Sequence, residues 1–265
     1  MRRSIVYSDP LNDDFANNGI KKKPLPENYR YLPKGSAGRG AAFVLHHFVA
    51  VPIVFACQKL CYREHIVNRR ALKPYLSDGV FLYGNHTRGA GDAFCPSLAA
   101  FPRRPYIVTN SDSVSNPVLR PLVRALGGLP LPDTVTGLAR YRRMIDSLSA
   151  RGECVVIYPE AHIWPLYIDI RPFPDASFRY PAETGKPVFA FTSTYKKRGF
   201  LPLVKSTVYI DGPFFGDADL SVRENQKNLR DCVYNAMKKR SEASDYSYHS
   251  YVPAPETDLD RRAED

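Results

Sequence analysis

The residues best suited to do chemistry lie in residues 80–94, VFLYGNHTRGAGDAF. The apolar quartet Val80, Phe81, Leu82 and Tyr83 reads as a short interior strand, Gly84 and Asn85 end it, and Asp92 is placed to cap a helix beginning at Ala93. His86 then stands at the carboxyl end of a strand, where open α/β sheets bind their ligands. A carboxylate hydrogen-bonded to one imidazole nitrogen fixes the tautomer and leaves the other nitrogen free to take a proton from a hydroxyl. His86 and Asp92 are therefore a candidate general base and its orienting acid. The plainer alternative is that both only cap the following helix.

Residues 153–165, ECVVIYPEAHIWP, repeat the arrangement. A second apolar strand, Cys154 to Tyr158, is stopped by Pro159, and Glu160 and His162 follow. With these two stretches the chain resembles the glycerolipid acyltransferase family, the lysophosphatidic acid acyltransferases and their relatives. The first motif of that family is N-H-x4-D and its third is a Phe-Pro-Glu-Gly-Thr-Arg type loop; here Asn85-His86 to Asp92 and Tyr158-Pro159-Glu160 would fill them. Leu126-Gly127-Gly128-Leu129-Pro130-Leu131 is similar to the glycine-led second motif, and Gly185-Lys186-Pro187-Val188-Phe189-Ala190 to the fourth. Arg171-Pro172-Phe173 to Ala182 is similar to the segment entering the last helix, and the resemblance spans residues 60–240 in all.

The resemblance implies an O-acyltransferase, like 1-acylglycerol-3-phosphate O-acyltransferase, serving phospholipid biosynthesis. It would move a fatty acyl group from a thioester to a hydroxyl of a lysophospholipid-like acceptor, with 1-acylglycerol-3-phosphate the expected one, without a covalent enzyme intermediate. Acyl-CoA or acyl carrier protein would be the co-substrate, with no separate cofactor and no metal. His86 would take the acceptor's proton, oriented by Asp92. Asn85, Thr87, Arg88, Gly127, Gly128, Glu160 and His162 are the expected substrate-binding residues. Backbone N–H groups at Gly127 and Gly128 could approach the donor or the oxyanion closely, because neither residue has a side chain. Glu160 would orient the acceptor or the third-motif loop.

Three departures qualify the match. Five residues, Thr87, Arg88, Gly89, Ala90 and Gly91, separate His86 from Asp92 where the family has four. Gly89 and Gly91 can take φ > 0 and absorb the extra residue as a bulge, so deleting Ala90 should be partly tolerated. Ala161, His162 and Ile163 replace Gly, Thr and Arg in the third motif, and Pro132 and Asp133 stand near an Arg position in the second. Guanidinium groups that could hold an acceptor phosphate bidentately are thereby lost, leaving Arg88, Arg120, Arg124, Arg140, Arg143 or Arg171 to supply the charge. Two other classes stay open. One is a divalent-metal hydrolase in which His86, Asp92, Glu160 and His162 gather a cation; the other is a catalytically silent lipid-binding member of the fold.

The elements that must position these residues alternate. A helix follows Asp92, then come a strand at 106–109, helices at 117–126 and 134–150, and the strand around Val155. A helix at 176–184, strands at 187–192 and 206–210 and a long helix at 221–240 complete the pattern. The expected fold class is α/β, a mostly parallel central sheet with helices on both faces, plus an N-terminal apolar helix. The domain reading is a basic polar segment at 1–40, a membrane-associating helix at 41–62, the catalytic domain at 63–240, and an acidic disordered tail at 241–265.

Composition points to a membrane surface. The chain has 265 residues, 44% of them hydrophobic, enough for one α/β core. The net charge is +10, and the last 25 residues hold seven acids against two arginines, which leaves +15 on residues 1–240. An anionic membrane explains that charge and suits a lipid substrate; no nucleic-acid-binding module accompanies it. Residues 41–57 are apolar but hold His46, His47 and Pro52, so they read as an interfacial or re-entrant helix or as a core helix, since a span needs about 20 clean apolar residues. Five cysteines with no C-x-x-C pair suggest no disulfide framework. The polar first forty residues do not read as a cleavable signal peptide. The expected location is the cytoplasmic face of the cell membrane, peripheral or monotopic.

Overall fold

Successive side chains along the central strands alternate between two buried faces, and this builds the central sheet. The computed structural model describes residues 3–16, 23–26, 28–199 and 203–255. In chain order it contains β1 (Ser4–Tyr7) and a long helix made of α1 (Gly35–Val44), a π-helical stretch (Leu45–Ala50) and α2 (Val51–Tyr62). Then come β2 (His65–Val67), β3 (Val80–Gly84), α3 (Ala90–Ala100), β4 (Tyr106–Thr109), α4 (Arg120–Ala125), β5 (Gly128–Pro130) and α5 (Val135–Ala150). β6 (Cys154–Ile157), α6 (Arg179–Thr184), β7 (Val188–Lys197), β8 (Val204–Phe214), α7 (Val222–Ser241) and β9 (Ser250–Pro253) complete the chain.

Seven strands form the main sheet in the order β2-β8-β7-β3-β6-β4-β5. The five from β7 to β5 run parallel, whereas β8 returns antiparallel to β7 and β2 lies parallel to β8. Phe81 and Tyr83 point into one core with Ile145 of α5, Phe178, and Leu229 and Val233 of α7. Val80 and Leu82 point into the other with Cys95 and Ala99 of α3 and Leu72. All five residues of β3 are buried, because strands flank it on both edges and a packed core covers each face, so its side chains are apolar throughout rather than alternating with polar ones. The expected mostly parallel sheet with helices on both faces is what forms.

Several boundaries differ from the sequence reading: β7 and β8 are longer than the strands expected at 187–192 and 206–210, α4 and α6 are shorter than the helices expected at 117–126 and 176–184, and two further changes lie at the ends of the chain. The apolar helix starts at Gly35 and runs unbroken for 28 residues to Tyr62, a length of about 42 Å. It is long and apolar enough to cross a membrane by length and composition, which the seventeen-residue apolar core is not. Residues 35–40, small except for Arg39, and the polar pair Gln58-Lys59 extend the helix beyond each end of the apolar core. The second correction concerns the tail. Residues 241–255 are ordered: β9 pairs in parallel with β1 as a two-stranded sheet, Tyr246 is buried, and Tyr251 stacks on Trp164 at 5.0 Å between ring centroids. Aromatic surface there outweighs the composition of the tail as a whole, whose acids Glu256, Asp258, Asp260, Glu264 and Asp265 lie outside the described residues, as do Lys21 and Lys22.

Candidate active site

β3 delivers His86 because its apolar run ends at Gly84, where there is no room for a side chain. A Cβ there would come within 2.7 Å of the Tyr158 ring. That ring in turn stacks on the His86 imidazole at 4.6 Å, and its hydroxyl donates to the Asp92 backbone oxygen at 2.5 Å. Nδ1 of His86 lies 3.0 Å from Oδ2 of Asp92. The same oxygen accepts the backbone N–H groups of Thr87 at 2.7 Å and Arg88 at 2.8 Å. Burial alone would raise the Asp92 carboxyl; the hydrogen bond from His86 and the charges of His86 and Arg88 outweigh it and hold the group below its ordinary value. Asp92 is thus an ionised orienting group, and Nε2 of His86 has no partner among the described residues.

The five-residue loop closes, although not as expected. Gly89 has φ +44, but Gly91 is helical, because α3 begins at Ala90 rather than Ala93. Asp92 therefore sits inside the first turn and bonds backward to the loop instead of capping the helix.

The other sequence candidates divide into frame and surroundings. Asn85 clamps β7 reciprocally, donating from Nδ2 to Ser193 O at 3.0 Å and accepting the Ser193 N–H at 2.8 Å. Thr87 is buried with its hydroxyl 2.6 Å from the Tyr195 hydroxyl. Glu160 takes the His86 N–H on one oxygen at 2.9 Å and the Arg171 N–H on the other at 3.0 Å, with the Arg171 guanidinium at 3.5 Å. Burial pushes the Glu160 carboxyl up against the opposing pull of Arg171. Glu160 thus ties the backbone at His86 to Arg171.

His86 opens into a cavity of about 290 Å³ lined also by Thr109, Asn110, Leu131, Tyr158, Ser177 and Tyr180. None of the seven expected substrate-binding residues, Asn85, Thr87, Arg88, Gly127, Gly128, Glu160 and His162, belongs to that lining. Gly128 is level with Ile107, and Ile107 with Val156 and Leu82, so it lies in the body of the sheet rather than at its carboxyl edge. Gly127 has φ +92, and a Cβ there would strike Pro105 O at 2.4 Å. Both glycines serve the tight passage from α4 into β5, and neither is placed to meet an oxyanion at His86. Arg88 is buried against Glu64, Gln58, Ser193 and Asp92. His162 is half-buried, with Nδ1 3.6 Å from Asp14. Arg171 spans Glu160, the His162 carbonyl and the Trp164 ring, so it too is committed. Among the described residues no group of three His, Cys, Asp or Glu side chains is arranged to hold a metal ion. The hydrolase reading therefore loses its ligand set, since Asp92 and Glu160 are turned onto backbone N–H groups and arginines.

Residue-by-residue reading missed Glu64, Gln58 and Ser193, which complete the surroundings of Arg88. One signal was present: Glu64 is the lone acid in a stretch that holds Lys59, Arg63, Arg69, Arg70 and Lys73. Thr109, which ends β4, Asn110, which follows it, and Ser177, in the turn before α6, were also missed, because polar residues at strand ends and in turns are ordinary local chemistry.

No family model and no curated protein matches the chain. Among solved structures it is similar to the 1-acyl-sn-glycerophosphate (LPA) acyltransferase PlsC from Thermotoga maritima, with a TM-score of 0.52 at 14% identity, over 78% of this chain and 90% of that one. At that identity the likeness is one of fold, which this chain shares with that acyltransferase.

Proposed function

We propose, taking that fold as the premise, that this chain is an O-acyltransferase that moves an acyl group from acyl-CoA or acyl carrier protein to a hydroxyl of a lysophospholipid-like acceptor. The observation that carries the reading is the His86–Asp92 pair at 3.0 Å, with the imidazole lining a cavity at the carboxyl end of β3. Nε2 would take the proton of the acceptor hydroxyl as its oxygen attacks the thioester carbon. When the tetrahedral oxyanion collapses, the C–S bond breaks and the leaving thiolate takes that proton from the imidazolium. The ionised Asp92 stabilises the imidazolium in between. An intact pair in so constrained a setting also favours an active enzyme over a silent lipid-binding protein.

The acceptor's headgroup is the finer question. Thr109, Asn110 and Ser177 offer hydroxyl and amide groups to a glycerol-like acceptor. A 1-acylglycerol-3-phosphate would need cationic help from outside the described lining.

We place the reaction at the cytoplasmic face of the cell membrane. Phe43, Phe48, Ile53, Phe55 and Leu60 expose an apolar face on the long helix, and the body is strongly basic. The helix is fastened to the domain along its length, through His46 to Ser97, His47 to the Pro102 carbonyl and Gln58 to Arg88. It therefore lies along the domain, which suits a monotopic or peripheral enzyme.

The test is acyl transfer by purified protein on a lipid extract, with labelled acyl-CoA and acyl carrier protein offered separately and the product identified by mass. A labelled acyl-lipid that wild type makes and His86→Ala does not supports the proposal. No acyl-lipid from either donor overturns it.

A further inference from the structure

We infer that Glu64 and Arg88, neither facing the cavity, are positioning residues that set the orientation of Asp92 and the charge felt by His86. The inference rests on the proposed acyl transfer for its kinetic readout and on geometry for everything else. Arg88 lies in the loop between the two members of the pair, and its side chain is fully buried. Nη1 donates to the Glu64 carboxylate and, at 3.2 Å, to Oε1 of Gln58; Nη2 donates to Ser193 Oγ at 3.1 Å. Nε faces Oδ1 of Asp92 at 3.5 Å, the oxygen that makes no hydrogen bond of its own. One guanidinium is thus shared between two buried carboxylates.

The arrangement makes physical sense only when His86 is counted in. With neutral imidazole, Glu64, Arg88 and Asp92 sum to −1. When His86 takes a proton, the four charges alternate as His86⁺, Asp92⁻, Arg88⁺, Glu64⁻ and sum to zero. Burying an uncompensated charge is costly, so this set favours the protonated base that the reaction must form. Without the Glu64 charge, Arg88 would turn wholly onto Asp92 and cancel it, and the imidazolium would lose its counter-charge. Glu64 lies two residues beyond the end of α2 and donates its N–H to Gln58 O at 3.1 Å, so the same helix that carries the exposed apolar face also anchors this set.

Other titratable groups are close. The Cys95 thiol donates to the second Glu64 oxygen at 2.9 Å, Tyr62 lies under the Arg88 guanidinium at 5.5 Å, and Tyr195 meets Thr87. Burial pushes Cys95, Tyr62, Tyr195 and Tyr158 up, which keeps all four neutral across the working range. Lys59 spends its ammonium on the Glu64 carbonyl at 2.6 Å. Glu160 and Arg171 bear on His86 from the backbone side, and Tyr141 and Tyr180 from the cavity; none of them contacts Glu64 or Arg88.

The experiment compares full-length wild type, Glu64→Gln and Glu64→Asp by the pH profile of kcat/KM and by NMR titration of the labelled His86 imidazole. Glu64→Gln makes the surroundings more positive by one charge and so destabilises the imidazolium. Its acid limb and its His86 titration should both move to lower pH, by about one pH unit, while the plateau falls by about 10-fold. Glu64→Asp keeps the charge and should keep the wild-type limb even if the fold is less stable. Should Glu64→Gln not fold, Glu64→Asp beside Arg88→Lys decides, because lysine keeps the charge but loses the fork, so the plateau falls with the limb unmoved. A Glu64→Gln protein with wild-type limb and His86 titration and only a lower melting temperature overturns the inference, as does an Arg88→Lys plateau equal to wild type. Absence of transfer by wild type would defeat the proposed function alone, since the NMR titration reads the charge relation without substrate.

Discussion

Oδ2 of Asp92 lies 3.0 Å from Nδ1 of His86 and takes the N–H groups of Thr87 and Arg88 at 2.7 and 2.8 Å as well, so the loop joining the pair is wound around the carboxylate. One oxygen orients the imidazole and holds the backbone that carries it. The consequences for mutants differ from those of a free-standing dyad.

Replacing His86 by alanine should lower turnover by about 10²–10⁴ with little loss of stability, the scale of a positioned general base. Steady-state transfer together with a urea melt checks both halves. Near-wild-type transfer would defeat the assigned role.

Deleting Ala90 to restore a four-residue gap should abolish most transfer, contrary to the tolerance expected from the glycine content. Asp92 lies in the first turn of α3, and removing one residue ahead of it turns its side chain about 100° around the helix, away from Thr87 N–H and His86. Gly89→Val should cost roughly 1–3 kcal/mol through its backbone alone, because φ is +44 and no atom lies within 4 Å of the added Cβ. Transfer measured for both variants tests the geometry; full activity in the deletion would show that the pair re-forms by another route.

The Asp92 carboxyl is held below its ordinary value, so its contribution to stability is present above the unfolded value, about 3.9, and is lost as pH falls through the folded one. Urea unfolding of wild type and Asp92→Asn between pH 7 and pH 2 should show wild type losing its advantage below about pH 4. A difference that stays constant across that window would mean the carboxylate is not the stabilising form.

Glu160→Ala should destabilise by about 3–5 kcal/mol, more than His86→Ala, because it leaves the Arg171 guanidinium buried without its carboxylate and frees two backbone N–H groups. Both side chains are at most 2% exposed, so solvent does little to soften the loss. Denaturation midpoints of the two variants decide the order.

Serine at Phe48, Ile53 and Leu60, which are 70%, 57% and 72% exposed, should leave stability within about 1 kcal/mol of wild type and sharply reduce sedimentation with anionic vesicles. Salt should weaken wild-type binding without abolishing it, since screening removes the charge contribution and not the apolar one. Undiminished sedimentation of the triple variant would show that another face meets the lipid.

Local pattern was sufficient for a large part of this protein. An apolar run stopped by Gly84 and another stopped by Pro159 place His86 and Glu160 at the carboxyl ends of two parallel strands, because strand length and termination are written in consecutive residues. The alternation of such strands with helices is likewise enough for the sheet and its two covered faces. What local pattern lacks is the identity of neighbours distant in the chain. Gly127 and Gly128 read as a ligand-binding turn until Pro105 and Val123 fill the space beside them. Arg88 reads as a phosphate ligand until Glu64, 24 residues earlier, and Ser193, 105 residues later, close around it. Residues 241–255 read as a solvated tail until Trp164 and β1 receive their aromatic side chains. Burial and charge pairing depend on what the fold brings within a few ångströms, and only the tertiary structure decides that.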